Sequence, residues 1–411
     1  MTTQPLRQNR ATAPELMALQ AEAQAMERRG TIDIPADLES GVVPAEHAPH
    51  RLGRVGAAWR IARSVIARRP ANTATEIRIT RLCSQRCRQC AIPIGAVPAD
   101  TMPLDAFRAL AAKIRNYGAG AGFISGGEPT LHPQLPEILE EAVRTFPLAC
   151  TLNTNLDNSA EVIRERVGCA LRLGVNVQTS IDGLGDLGDN LRGGDQVAER
   201  VLRQMAELRE MKEQLGSRSI LYCNTVLNGL NLDDVARISE RVRAVGWKSS
   251  IGSYHDLTLH TRRDNPLFLE KTEKLQNLID RLLTTPDVVT LPAMLRGIPR
   301  HAAGEEAKRC AYTEAPSLAS RILIRENGDV YLCKGKPIGN ALRDPLASIL
   351  SGEIYHRRLE EYDSCPGCWN NCYTQKLLLI KPGSLRGAWE NFRFASGLGR
   401  ARGRARARAP Q

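Results

Sequence analysis

From residue 75 to about 252, short apolar runs alternate with longer segments of helical periodicity, and this alternation leaves few folds open. The strand candidates are Glu76–Thr80, Ala121–Ser125, Ala149–Asn153, Val175–Ile181, Ile220–Val226 and Trp247–Ile251. Helices are expected between them at about 104–116, 134–145, 159–172, 195–215 and 232–244. Repeated strand–helix units imply a parallel sheet with crossover helices, hence an α/β fold. Six units fit a partial (β/α)6 barrel, in which the chemistry collects where the strands end. Aromatic residues are only 4% of the chain, so its core must rest on Leu, Ile, Val and Ala.

The flanks divide by pattern. Residues 1–74 read as an N-terminal helical extension, with helices at about 13–29 and 51–69. In the second, Leu52, Val55, Trp59, Ala62 and Ile66 recur at helical spacing. The barrel takes 75–260. A connecting helix is expected within 261–289, starting at Asn265-Pro266 and running to about Leu283, with Asn as N-cap and Pro at the first position. Residues 290–380 form a small cysteine-rich domain, and 381–411 a basic tail that reads as disordered. No apolar run is long enough to span a bilayer, and the N-terminus lacks the apolar core of a secretory signal, so the expected compartment is the cytoplasm.

The net charge of +11 is local. Residues 51–70 hold six Arg and no acid, and 397–411 hold five Arg and no acid. Such segments suit an anionic surface or polymer and say little about an active site. For the helix at 51–69 the simpler expectation is that Trp59 and Ile66 pack on the barrel. The alternative is peripheral association with an anionic membrane.

Eleven cysteines in a cytosolic chain point to metal binding or catalysis rather than disulfides. Cys83-x3-Cys87-x2-Cys90 directly follows the first strand. By composition alone both partners of a given Cys would fall at that spacing with a probability of about 0.0007, so coincidence is a poor account. Thiolates suit iron–sulfur clusters. Three on one loop hold three irons of a cube and leave the fourth open, whereas zinc would want a fourth ligand close by. Gly126-Gly127-Glu128-Pro129 follows the second strand, where Gly permits close backbone approach and Pro fixes the turn. Asn153, Asn155, Ser180, Asp182 and Arg192 follow the third and fourth strands and are candidate ligands for ribose and carboxylate. Near the C-terminus stand Cys310, Cys333, Cys365, Cys368 and Cys372, with Gly-Asp before Cys333 reading as a hairpin turn. Cys150, Cys169 and Cys223 read as buried small hydrophobes, and His132 as a turn residue.

The three-cysteine loop is similar to the signature of the radical S-adenosylmethionine (SAM) superfamily, although Gln89 stands where that family usually has an aromatic. The resemblance implies a [4Fe–4S] cluster on Cys83, Cys87 and Cys90, with SAM bound at its open iron. It implies that the GGEP carbonyls hold the SAM amino group. In the SIDG-x8-RG pattern, Ser180 or Asp182 would meet the ribose and Arg192 the carboxylate. The C-terminal region resembles the SPASM and twitch domains that carry an auxiliary [4Fe–4S] cluster. Cys310, Cys333, Cys365 and Cys368 would make one set, with Cys372 competing, and a structural zinc site is the other reading of these thiols.

The expected function is reductive cleavage of SAM to a 5′-deoxyadenosyl radical that abstracts hydrogen from a peptide or small-molecule substrate. The auxiliary cluster would aid net oxidation or bond formation, and a flavodoxin- or ferredoxin-type protein would donate the electron. Two alternatives are a radical SAM enzyme acting on a lipid or isoprenoid intermediate at a membrane and a non-catalytic zinc protein binding nucleic acid. The last is disfavoured by the few aromatics.

Overall fold

The computed structural model describes residues 54–67, 70–90, 92, 101–255, 265–305, 310–315, 321–333, 335–365, 368–380 and 385–395. The expectations for a helix at 13–29, for Leu52 and for the tail at 397–411 fall outside them.

Six parallel strands form the frame: β1 (Ala74–Arg78), β2 (Ala121–Ser125), β3 (Ala149–Asn153), β4 (Asn176–Ser180), β5 (Leu221–Leu227) and β6 (Lys248–Ser253). They lie side by side in chain order, so the α/β partial barrel expected from the alternation is the fold found. β5 shows how side-chain alternation builds it. Leu221, Cys223, Thr225 and Leu227 are buried behind the sheet, while Tyr222, Asn224 and Val226 look the other way.

The helices are α1 (Arg54–Ile66), α2 (Leu104–Tyr117), α3 (Leu135–Thr145), α4 (Gly185–Arg192), α5 (Val197–Gln214) and α6 (Val235–Ala244), followed by α7 (Glu273–Thr284) and α8 (Pro292–Ala302). α2 is typical: Phe107, Leu110, Ala111 and Ile114 share its buried face. It stops at Gly118, whose φ of 108 suits glycine and whose N–H donates to the Ile114 carbonyl. The expected helix at 159–172 is present as Ala160–Val162 and Gly168–Arg172 joined by a π turn, Ile163–Val167.

Three findings depart from expectation. The helix placed at Asn265-Pro266 begins instead at Glu273. Thr272 caps it, its hydroxyl accepting from the Leu275 N–H at 3.1 Å, while the Asn265 side chain accepts from Leu267 in a local turn. Leu267 and Leu269, buried in the intervening turn, hold that segment down without a helix. Second, α1 does not pack through Trp59 and Ile66. It sits on Ala57, which is 3% exposed, while Val55, Trp59 and Ile66 are 84%, 66% and 77% exposed. The small Ala57 lets the helix approach closely, and Arg60 lies against Gly118 at the end of α2.

Third, the cysteine-rich region continues the barrel sheet. β7 (Arg321–Ile324) pairs in parallel with β1, Ala74 opposite Arg321, and β8 (Asp329–Tyr331) and β9 (Gly339–Asn340) follow antiparallel. The sheet order is β6-β5-β4-β3-β2-β1-β7-β8-β9. Gly328, at φ 85, makes the hairpin turn that the Gly-Asp pair announced. Glu76 of β1 and Arg321 of β7 form an ion pair across the seam, joined by Arg78 and by the Ser125 hydroxyl at 2.9 Å. The region is completed by α9 (Glu353–Asp363), α10 (Thr374–Ile380) and α11 (Leu385–Ala395). A second apolar cluster joins α7, α8, Trp369 and Leu378 beside the main core. Among the described residues, no helix is long and apolar enough to cross a membrane.

Candidate functional site

The segment leaving β1 turns back over the strand ends and carries Cys83, Cys87 and Cys90, which are buried, half-buried and exposed. Two strips of backbone fix it. Gly127 N–H donates to the Thr80 carbonyl at 2.7 Å and Glu128 N–H to the Leu82 carbonyl at 2.5 Å. On the other side, Arg86 N–H donates to the Arg192 carbonyl and Arg88 N–H to that of Leu191. The double glycine is required here by sterics: a Cβ on Gly127 would stand 2.1 Å from the Leu82 carbonyl oxygen, and one on Gly126 2.6 Å from that of Thr80.

Glu128 is fully buried, and its carboxylate is consumed by the chain itself. It accepts from Thr130, from the Thr154 hydroxyl at 2.6 Å and from the Asn155 N–H at 2.6 Å. Burial raises its pKa and these hydrogen bonds oppose the rise. Pro129 opens the short 3-10 turn that follows. His132 ends that turn, with one ring nitrogen 2.9 Å from the Met102 carbonyl and the other accepting from Gln134 N–H. It is therefore a neutral brace, and burial lowers its pKa to about 4.

Cys83, Cys87 and Cys90 line one cavity of about 260 Å³ together with Gly126, Gly127, Asn153, Asn155, Ser180, Asp182 and Arg192. Glu128 and Pro129 are outside it. Gln85, Gln89, Ser125, Thr154, Gln178 and Val226 also line it and were not anticipated. Gln178 was within reach of period-2 reasoning, two residues before Ser180 on the same face of β4. Gln85 and Gln89 are spacer positions of the cysteine motif, where no periodicity applies.

Electrostatics in the cavity centre on Asp182, which is fully buried. Arg192 approaches it at 2.6 Å, Gln89 donates to it and Val226 N–H donates at 2.8 Å. Burial works against the Arg192 charge, but the Asp182 carboxylate keeps it protonated. Arg192 also reaches Cys87 Sγ at 3.8 Å. Burial pushes the Cys83 and Cys87 thiols up, and Arg192 opposes this at Cys87. Asn155 donates to Ser84 Oγ at 3.0 Å and to Cys83 Sγ at 3.8 Å, tying the β3 end to the cysteine loop.

Three residues that line the cavity each carry a buried polar atom without a partner: Asn153 Oδ1, Gln89 Oε1 and Arg192 Nε. Unsatisfied groups are costly, so three beside one set of thiols mark the place of a polar ligand. The donor set fits a cluster-bound amino acid derivative: thiols for iron, a guanidinium for a carboxylate, and amides for hydroxyls or a base.

The C-terminal cysteines separate into two environments. Cys368 faces the thiols of Cys333, Cys310 and Cys365, and burial together with those neighbours pushes it up to about 12. Behind them Tyr312, Tyr362 and Tyr373 pack with ring centroids 5.4–5.5 Å apart. The Tyr362 hydroxyl accepts from Cys333 N–H, and those of Tyr312 and Tyr373 donate to the Leu332 carbonyl. Cys372 instead lies in the field of Arg321, Tyr222 and Lys376, on the barrel side. Among the described residues no three His, Cys, Asp or Glu groups stand as close as the ligands of a single metal ion do. Cys150, Cys169 and Cys223 are buried, and Cys223 lies in the field of Arg192 and Asp182.

Residues 77–242 match the radical SAM superfamily, and residues 316–373 match the SPASM iron–sulfur cluster-binding domain. The chain carries a radical SAM domain followed by a SPASM domain. Its cofactors are accordingly a [4Fe–4S] cluster, SAM and auxiliary iron–sulfur. Among solved structures, the radical SAM chain is similar in fold to anSMEcpe with bound AdoMet, at 15% identity and a TM-score of 0.54 over 79% of this chain and 96% of that one. It is also similar to Streptococcus suis SuiB bound to its precursor peptide SuiA, at 15% identity and a TM-score of 0.51 over 84% and 79%. A curated relative, the Fe-coproporphyrin III synthase of Methanosarcina barkeri, is 24% identical over 48% of this chain. The chain spans about half the length of that relative, 51%.

Proposed function

We propose that this radical SAM enzyme abstracts a hydrogen atom from a peptide substrate and oxidises it with the help of one auxiliary cluster. The observation that carries the reading is the cavity at the strand ends, lined by three cysteines and by three residues that each hold an unpartnered polar atom.

Cys83, Cys87 and Cys90 would hold the catalytic cluster. Bound there, that cluster supplies the electron for reductive cleavage of SAM to methionine and a 5′-deoxyadenosyl radical. The chain's own part is to bind and orient. Backbone carbonyls at Gly126 and Gly127 would accept from the SAM ammonium, while Glu128 serves by bracing β2 against β3. Arg192, held charged by Asp182, would meet the carboxylate. Asn153, Asn155 and Ser180 would meet the ribose, and the free carbonyl of Gln89 would be a polar contact where the superfamily usually presents an aromatic. Such positioning is how a protein serves a radical cofactor.

Cys310, Cys333, Cys365 and Cys368 would hold the auxiliary cluster, since each of the first three faces Cys368. Cys372 is then a separate thiol beside Arg321. The division 1–74, 75–260, 261–289, 290–380 and 381–411 is retained as the functional layout, and an electron donor of the flavodoxin or ferredoxin type as the partner. Peptide is favoured over a small molecule because anSMEcpe with a Cys-containing peptide and SuiB with SuiA share the fold. A lipid or isoprenoid substrate has no such support. The zinc and nucleic-acid reading gives way to the two domain matches.

The test is 5′-deoxyadenosine formation by anaerobically reconstituted enzyme with a chemical reductant. Cys83→Ala, Cys87→Ala and Cys90→Ala should each abolish it. Normal production by any of them would refute the assignment. Mass spectrometry of peptide pools incubated with enzyme and SAM should then show a product lighter by two hydrogens.

A further inference from the structure

We propose that α1 is a docking helix for an anionic lipid bilayer. The helix has two faces. Ala57 is buried against the barrel, and Arg60 and Ile61 line the crevice beside Pro70 and Tyr117. On the other face Val55, Trp59, Ala62 and Ile66 are all exposed, spaced as i, i+4, i+7 and i+11. Val55, Trp59 and Ile66 are 84%, 66% and 77% exposed, so a continuous apolar stripe is offered to solvent rather than to the core. Large apolar side chains aligned in this way mark an interaction surface, whereas single exposed ones do not.

The charge chooses the occupant. Residues 51–70 hold six arginines and no acid. Arg63, exposed, lies one residue from Ala62 of the stripe. An apolar protein partner would not require this excess, and a nucleic acid would not require the stripe. An anionic bilayer uses both: the stripe enters the acyl boundary, and arginines reach headgroup phosphates while their stems lie along apolar surface. Trp59 is the side chain suited to that boundary, with an apolar ring and one polar N–H. Each basic residue near such a surface adds attraction that decays within a Debye length.

The test is co-sedimentation of the full-length holoenzyme with vesicles of phosphatidylcholine alone or with phosphatidylglycerol, at about 50 mM and about 500 mM salt. Binding is expected only to the anionic vesicles and should fall at least about tenfold at high salt. Trp59→Ala/Ile66→Ala and Arg63→Glu should each weaken it by about tenfold or more. Both sites are exposed, so both variants should keep wild-type SAM cleavage and circular dichroism, which separates lost docking from lost folding. Absence of binding to either vesicle would overturn the proposal. So would binding unaffected by the Trp59/Ile66 change, or binding to duplex DNA in preference to anionic vesicles.

Discussion

Gly127 shows how much of the cluster loop's position rests on one missing atom. A methyl group there would meet the Leu82 carbonyl at 2.1 Å, and backbone yields less easily than a side chain. Gly127→Ala should therefore shift the loop, at a cost of about 1–3 kcal/mol. Iron content at the first site and 5′-deoxyadenosine yield should fall together. A variant with full iron and full cleavage would show that the loop has slack. The C-terminal thiols allow a sharper comparison. Wild type should bind about eight irons. Cys368→Ala should lose about half of them, whereas Cys372→Ser should keep them all, because Cys310, Cys333 and Cys365 already accompany Cys368 while Arg321 and Lys376 accompany Cys372. Equal loss in both would return Cys372 to the ligand set.

Among the elements, α7 gives the cleanest test of local encoding. The Thr272 hydroxyl caps it from outside the apolar cluster that α7 buries, so Thr272→Ala should cost about 1 kcal/mol and leave cleavage intact. Urea unfolding reads this directly. Asn265→Ala, at the start first expected from Asn-Pro, should not reproduce the effect on that helix. β1 to β6 were legible in the sequence because each is a short apolar run set between helical periods, and chemistry follows strand ends whatever the loops contain. Cys83, Gly126 and Asp182 were found for that reason. Glu128 was located but its role was not, because nothing local says that Thr154 and Asn155 will satisfy it. α4 was missed because Gly185, Gly188 and its polar residues break the apolar period. The pairing of β7 with β1 joins residues 245 positions apart, and no local pattern encodes it. The face that α1 presents was misjudged for a related reason: periodicity shows that a stripe exists and not which side finds a partner.

For the whole molecule, two buried groups make stability depend on pH. His132 is neutral in the fold, with a pKa lowered to about 4, so unfolding releases a base that takes a proton below about 6.5. The stability it contributes is complete above 6.5 and is lost as pH falls from there towards 4. Glu76 behaves similarly at lower pH: burial raises its pKa, but Arg321 and Arg78 outweigh that and hold it at about 2. Its contribution is complete above about 4.5 and is lost as pH falls towards 2. Urea unfolding at pH 7 and pH 5 isolates the histidine. Wild type should lose about 2 kcal/mol more than His132→Gln over that interval, and identical losses would remove His132 as the cause. The other partner of Glu76 has a consequence for how the protein is made. β1 is the first barrel strand to leave the ribosome, yet one of its two edges stays open until residues 321–324 have been translated. At ordinary elongation rates this delay lasts on the order of ten seconds or more. Throughout it the nascent barrel carries an unpaired strand edge and a carboxylate with only one of its two arginines, a state suited to chaperones and to mispairing. A gene cut at the boundary near residue 260 would leave the barrel in that state permanently.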